Sequence, residues 1–328
     1  FWKPSSSPAD AGSSAVLFLN DDGSVTLQVG CVEIGPAMRT TAAQICAAAL
    51  GMDIDRVHVS IEADTFGAPR HWKTVASMTT FLLGRAILRA AEDAKTQLKN
   101  LAAVAMRCSV EDLEVSGGQV WRKSDPGQFL DFRDIAQGYS YDNGNTVGGR
   151  VIGRGSVTME NLTKLDRHTG HGRPGPYWTV GAGAVEVQYD TRDHSFRVLR
   201  AAAALDAGKV VNPQAAQAVV RGGMAMGLSQ ATREALEFDP AGKCLTTSLR
   251  TYKVLHFSES PEYLVQFVET PNPEGPFGAR GIGEHGTLGM PAALANALSA
   301  AAEAELDHLP VTPEKIWLQR REKDLGSL

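Results

Sequence analysis

The chain has 328 residues, 43% of them hydrophobic and 21% charged, a globular balance that excludes a disordered polyelectrolyte. Lys and Arg number 32 against 37 Asp and Glu, and the resulting charge of −5, with no basic cluster, argues against nucleic acid as a partner. No apolar run approaches the roughly 18–20 residues of a membrane span, and the length suits two ordinary domains or one large one.

The opening residues Phe1 to Pro8 have no apolar core before a cleavage site, so they are no signal peptide; they read as an extended arm. Ala15–Leu19 and Val25–Val29 flank Asn20-Asp21-Asp22-Gly23-Ser24, which predicts a hairpin. Met38 to Leu50 is Ala-rich at helical spacing and is closed by Gly51. Arg56 to Ile61 alternates as a strand does, Ala76 to Ala105 predicts a long helix, and Leu113 to Trp121 a second hairpin turning at Ser116-Gly117-Gly118. Tyr139 to Gly155 and Thr169 to Pro176 are rich in Gly, Asn and Pro and predict loops around a boundary near residue 165.

Strands follow at Trp178 to Tyr189 and Phe196 to Ala204, then a helix from about Gln214 to Glu237 behind Asn212-Pro213. Tyr263 to Val268 is a strand, Pro271 to Gly283 a Pro/Gly loop, and Pro291 to Leu306 a helix. The order is α+β and lacks the regular alternation of a doubly wound sheet. It divides the chain into two halves, 1–165 and 166–328. Cys31, Cys46, Cys108 and Cys244 are dispersed, with no iron–sulfur or zinc spacing, and a reducing, cytoplasmic setting is expected.

Three segments share one property: small residues lead through a turn into a helix. They are Val32-Glu33-Ile34-Gly35-Pro36-Ala37-Met38-Arg39-Thr40-Thr41, Thr74-Val75-Ala76-Ser77-Met78-Thr79-Thr80, and Gly275-Pro276-Phe277-Gly278-Ala279-Arg280-Gly281-Ile282-Gly283-Glu284-His285-Gly286. Helix N-termini carry free N–H groups and a positive dipole end, and small residues let an anion approach them. Together they suit a phosphorylated cofactor; singly they are also ordinary caps and turns. Glu284, framed by glycines, is a candidate general base with a raised pKa, and otherwise a solvated or capping acid. The glycines lack the strand–turn–helix context of a dinucleotide fingerprint, and no hydrolase elbow, phosphate-binding loop or zincin motif is present.

The third segment resembles the Gly-Pro-Phe-Gly-Ala-Lys-Gly-Val-Gly-Glu signature of the xanthine dehydrogenase/aldehyde oxidase family. The resemblance extends from about Ala11 to Leu306, through Trp178–Ala182, Asp206–Pro213, Gly222–Leu228 and Val268–Pro271. It implies the fold of a molybdenum-cofactor-binding domain of the aldehyde oxidoreductase type, built as two α+β subdomains. It also implies a molybdopterin dinucleotide, in its cytosine form, whose dithiolene holds the metal without protein ligands. Glu284 maps to the family's general base. Gly35, Pro36, Ala37, Met38, Arg39, Thr40, Ala76, Ser77, Met78, Thr79, Thr80, Ala279, Arg280, Gly281, Ile282 and Gly283 map to segments that wrap the cofactor.

Two segments depart from the family pattern: Pro36-Ala37 replaces Gln-Gly, and Met78 replaces an Arg. A whole family subunit is more than twice as long. The chain therefore looks like one piece of a split subunit of the nicotinate dehydrogenase kind, working with a second molybdopterin-binding chain and with partners carrying [2Fe–2S] clusters and FAD. The implied reaction is oxidative hydroxylation of an electron-poor carbon, with water as oxygen source. An N-heterocycle such as nicotinate or a purine is the expected substrate, with Phe1 or Trp2 as an aromatic pocket wall or as part of an arm on a partner. The alternatives are an aldehyde- or CO-oxidising member and a non-catalytic structural subunit.

Overall fold

The computed structural model describes residues 1–5, 10–62 and 64–326. Strand β1 (Trp2–Pro4) is followed by β2 (Gly12–Leu19) and β3 (Val25–Val29), whose alternating burial reflects one face on a core. Helix α1 (Met38–Leu50) ends at Gly51, whose left-handed backbone lets its N–H close the last turn. Strand β4 (Val57–Ser60) and helix α2 (Thr79–Met106) come next, then a three-stranded sheet of β5 (Leu113–Ser116), β6 (Gln119–Arg122) and β7 (Asp125–Asp131). A turn of helix α3 (Phe132–Ile135), a small pair β8 (Tyr139–Ser140) and β9 (Thr146–Val147), and strand β10 (Ile152–Thr158) complete this half.

The second half holds β11 (Trp178–Tyr189), β12 (Phe196–Asp206), α4 (Pro213–Thr232), α5 (Leu249–Tyr252), β13 (Glu262–Val268), α6 (His285–Leu288), α7 (Met290–Ala302) and α8 (Pro313–Gly326). Asn212 caps α4 by accepting the Ala215 N–H at 2.9 Å, with Pro213 in the first turn. Among the described residues no helix is long and apolar enough to cross a membrane.

Two four-stranded sheets carry the same topology. One runs β10-β2-β3-β4, the other β1-β11-β12-β13. In each, an antiparallel hairpin (β2–β3, β11–β12) leads through a helix (α1, α4) to a strand parallel to its second arm (β4, β13). The fourth strand is exchanged. β1 precedes the first hairpin yet pairs with β11, and β10 precedes the second hairpin yet pairs with β2.

Burial follows the same division. One core spans Ala11 to Tyr177 around α2, and another spans Ala201 to Ile316 between the second sheet and α4, α7 and α8. Phe1 packs on the second core, against the approach of Gly181 and Gly289, where a Cβ would meet its ring within 3 Å.

Several elements differ from expectation. Residues 152–158 form a strand, where a Gly-rich loop was expected as far as Gly155; Gly153 and Gly155 are required because α2 lies directly on β10. A Cβ at Gly155 would sit 2.0 Å from the Ala86 carbonyl oxygen. Helix α2 starts at Thr79 because Ala76 and Ser77 adopt left-handed backbone, with φ of 56° and 57°. Helix α4 ends at Thr232, and the charged helix α8 had no counterpart in the hydrophobic pattern.

Candidate active site

Both parallel crossovers open towards one place. The loops β3–α1 and β12–α4 line a cleft of about 80 Å³ together with α2 and the Gly-rich loop before α6. Its walls include Pro36, Met38, Thr80, Arg280, Ile282 and Gly283, so members of all three small-residue segments meet there. Lys209, Val210 and Asn212 from the β12–α4 loop complete it, a contribution that the three-segment reading missed. The Asp206–Pro213 stretch was visible as part of the family resemblance, but nothing local marked it as cleft wall.

Strain concentrates in these loops. Among the described residues, four of the nine non-glycine residues with positive φ, namely Ala37, Ala76, Ser77 and Phe277, lie in the three segments. Left-handed backbone costs an L-residue roughly 1–2 kcal/mol, so such a cluster persists only where the surroundings impose it. Part of that imposition is visible. Tyr177, buried in the first core, donates its hydroxyl to the Ser77 carbonyl at 3.1 Å and accepts the Gly281 N–H at 3.0 Å. Gly281 packs so closely on Ser77 that a Cβ would fall 1.7 Å from its carbonyl oxygen. The second and third loops are therefore locked backbone to backbone.

That lock presents Ser77 Oγ to Glu284. The hydroxyl donates to Glu284 Oε2 at 3.1 Å and accepts the Glu284 N–H at 3.2 Å. Lys3, brought in on β1, places Nζ 2.8 Å from the same Oε2 and also donates to the Ala76 carbonyl at 3.1 Å. Among the described residues Oε1 takes no hydrogen bond, and the side chain is 52% exposed. Burial pushes the Glu284 carboxyl up, but the Lys3 ammonium and the Ser77 hydroxyl outweigh it and hold it below the ordinary glutamate value. The raised pKa expected from a glycine frame is thus reversed: the frame is small, but a cation stands inside it. His285, next along the chain, is buried; desolvation, aided by Lys3, pushes it down to about 4, and it is neutral at pH 7.

The remaining expected residues divide by exposure. Gly35 and Arg39 lie at the entrance to α1, where the Glu33 carboxylate accepts the N–H groups of Gly35, Ala37 and Arg39 at 2.9, 3.1 and 3.2 Å. Thr40 is exposed on the first turn of α1. Met78 is fully buried in the first core, so its side chain does not face the cleft. Thr79 and Ala279 are also buried. Phe1 is engaged in packing, and Trp2 is 73% exposed.

An anionic group fits this cleft. Helix α2 begins at its edge without a side-chain cap, and Arg280, paired with Asp206 at 2.8 Å through one guanidinium nitrogen, keeps its buried Nε without a partner among the described residues.

A model described as the molybdopterin cofactor-binding domain matches residues 1–261. The chain belongs to that family, within the xanthine dehydrogenase/aldehyde oxidase group. It is 28% identical over 306 residues to the nicotine 6-hydroxylase large subunit of Paenarthrobacter nicotinovorans, covering 92% of this chain and 36% of that one. It is 27% identical over 317 residues to the carbon monoxide dehydrogenase large chain of Hydrogenophaga pseudoflava, covering 95% of this chain and 38% of that one. The fold superposes on quinoline 2-oxidoreductase from Pseudomonas putida 86 with a TM-score of 0.84 at 24% identity, over 98% of this chain and 41% of that chain. The chain thus spans little more than a third of the length of these relatives.

Proposed function

We propose that this chain is one molybdopterin-binding part of a molybdenum hydroxylase, and that Glu284 is its proton acceptor. The observation that carries the reading is the anchored, ionised Glu284 carboxylate with one free oxygen, next in sequence to Gly283 in the wall of a cleft that all three small-residue segments share. Gly35–Thr40, Ala76–Thr80 and Ala279–Gly283 are the segments that hold the molybdopterin dinucleotide, assigned as the cytosine form, with Arg280 Nε and the α2 N-terminus directed to its anionic groups. When bound, the cofactor supplies the oxygen nucleophile and takes up two electrons. The chain's own residues bind it, orient the substrate and accept a proton at Glu284 Oε1. Because the carboxylate is already ionised at neutral pH, it is ready to accept that proton without prior loss of its own.

Within this reading the chain comprises two subdomains, residues 1–165 and 166–328, that exchange edge strands. A second molybdopterin-binding chain supplies the remainder of the subunit. Support comes from the outer face of the β1-β11-β12-β13 sheet, where Trp2, Trp178, Val180, Leu264 and Val268 stand exposed together. Partners carrying [2Fe–2S] and FAD receive the electrons in a cytoplasmic complex. The substrate is assigned as an N-heterocycle, in keeping with nicotine in the name of one relative; carbon monoxide, in the name of another, is the competing class.

The test is Glu284→Gln in the complex purified through this chain. Turnover is expected to fall by about 10² or more, the scale of general-base catalysis, with molybdenum content retained. Unchanged turnover removes Glu284 from the mechanism and favours a structural subunit.

A further inference from the structure

Lys3 is 281 positions from Glu284 and enters the site on an exchanged strand. Its ammonium touches two of the three loops at once, the Ala76 carbonyl on one side and Glu284 Oε2 on the other, and its side chain is only 11% exposed. We propose that Lys3 is the positioning residue for Glu284: by pinning Oε2 against Ser77 it leaves Oε1, which takes no hydrogen bond among the described residues, as the oxygen free to accept a proton. The inference rests on the base assignment above and adds to it a fixed carboxylate rotamer set from the other end of the chain.

Geometry limits the alternatives. The groups acting on Glu284 are Lys3 from β1, Ser77 from the loop before α2, and His285 beside it. His285 is neutral at working pH, and Arg280 is committed to Asp206. Ser77 is an uncharged donor. Lys3 is therefore the cation that holds this carboxylate. Lys3 is largely buried while Glu284 is half exposed, so the pair costs Lys3 desolvation; further hydrogen bonds from Lys3 to the Ala76 carbonyl and from the Ser77 hydroxyl to Glu284 help offset it. The pairing also makes strand exchange functional, since β1 reaches Glu284 only because it pairs with β11.

The sign of the effect is fixed. With Lys3 replaced by Met, burial acts on Glu284 without a compensating cation, and the carboxylate gains its proton at higher pH. In the purified complex, the acidic limb of the kcat/KM profile is expected to move up by at least about one pH unit in Lys3→Met, while Lys3→Arg stays near the parent. Molybdenum per chain, measured in parallel, is expected to stay at the parent level in both. A readout independent of turnover is the infrared carboxylate band of Glu284, identified by its loss in Glu284→Gln. It is expected to titrate at higher pH in Lys3→Met, with or without cofactor. If Glu284→Gln abolishes turnover while Lys3→Met leaves both the acidic limb and the carboxylate band in place, the role given to Lys3 is wrong and the base assignment stands. If Glu284→Gln leaves turnover intact, the base assignment fails, and the positioning role falls with it.

Discussion

Glu284 shows how far single residues were legible. The string from Gly275 to Glu284 resembles the family signature and singles out the candidate acid. Its electrostatic environment was not legible, because the deciding neighbour, Lys3, lies at the opposite end of the chain and is placed by a strand pairing that no local pattern reports. Met78 is a related case. As a letter it is a lost cation in a cofactor segment; in the structure it is a core side chain, so the substitution removes a charge from a position that packs.

His285 makes a separate prediction at this scale. Both ring nitrogens are buried without partners among the described residues. Its folded pKa of about 4 lies below the ordinary value of 6.5. The unfolded chain therefore binds a proton between those pH values and the folded chain does not, so stability is lost as pH falls from 6.5 towards 4. The full effect is about 3 kcal/mol. His285→Leu lacks this proton and gives up no hydrogen bond, so urea midpoints measured at pH 7 and pH 5 should diverge less than in the parent. Equal divergence in the two proteins would show that His285 is not held neutral.

At the scale of elements, both hairpins, α1 and strands β11, β12 and β13 follow from periodicity and turn chemistry, because the strands bury one face and expose the other. Strand β10 was not legible. Its glycines read as a loop, whereas their purpose is to admit the α2 backbone. Tertiary packing overrides propensity there. The prediction is direct: Gly155→Ala forces a methyl group against the Ala86 carbonyl and the Ala90 nitrogen, and should destabilise by about 1–3 kcal/mol, the usual cost of overpacking. Thermal unfolding checks it, and an unchanged Tm would mean that α2 and β10 can separate at little cost. Helix α8 escaped detection for a different reason: its sequence is dominated by charge, and Ile316 is its one fully buried apolar side chain among the described residues.

For the whole molecule, the shared topology of the two sheets could not be read from the letters, since what repeats is strand order and not residue identity. Hairpin, helix and parallel strand recur in both halves, and the exchanged strands β1 and β10 tie each half to the other. The cleft forms where corresponding loops of the two halves meet: β3–α1 faces β12–α4, and the loop before α2 locks onto the loop before α6. A site assembled at such a junction depends on both halves, which accounts for small residues and strained backbone in segments far apart in sequence. The central claim is that this junction holds a molybdenum cofactor beside Glu284. The most direct measurement is the molybdenum content, by elemental analysis, of the complex purified through this chain, with co-purifying chains identified by mass. About one molybdenum per copy, with iron on the partner chains, is the predicted result; an intact complex without molybdenum would contradict the account.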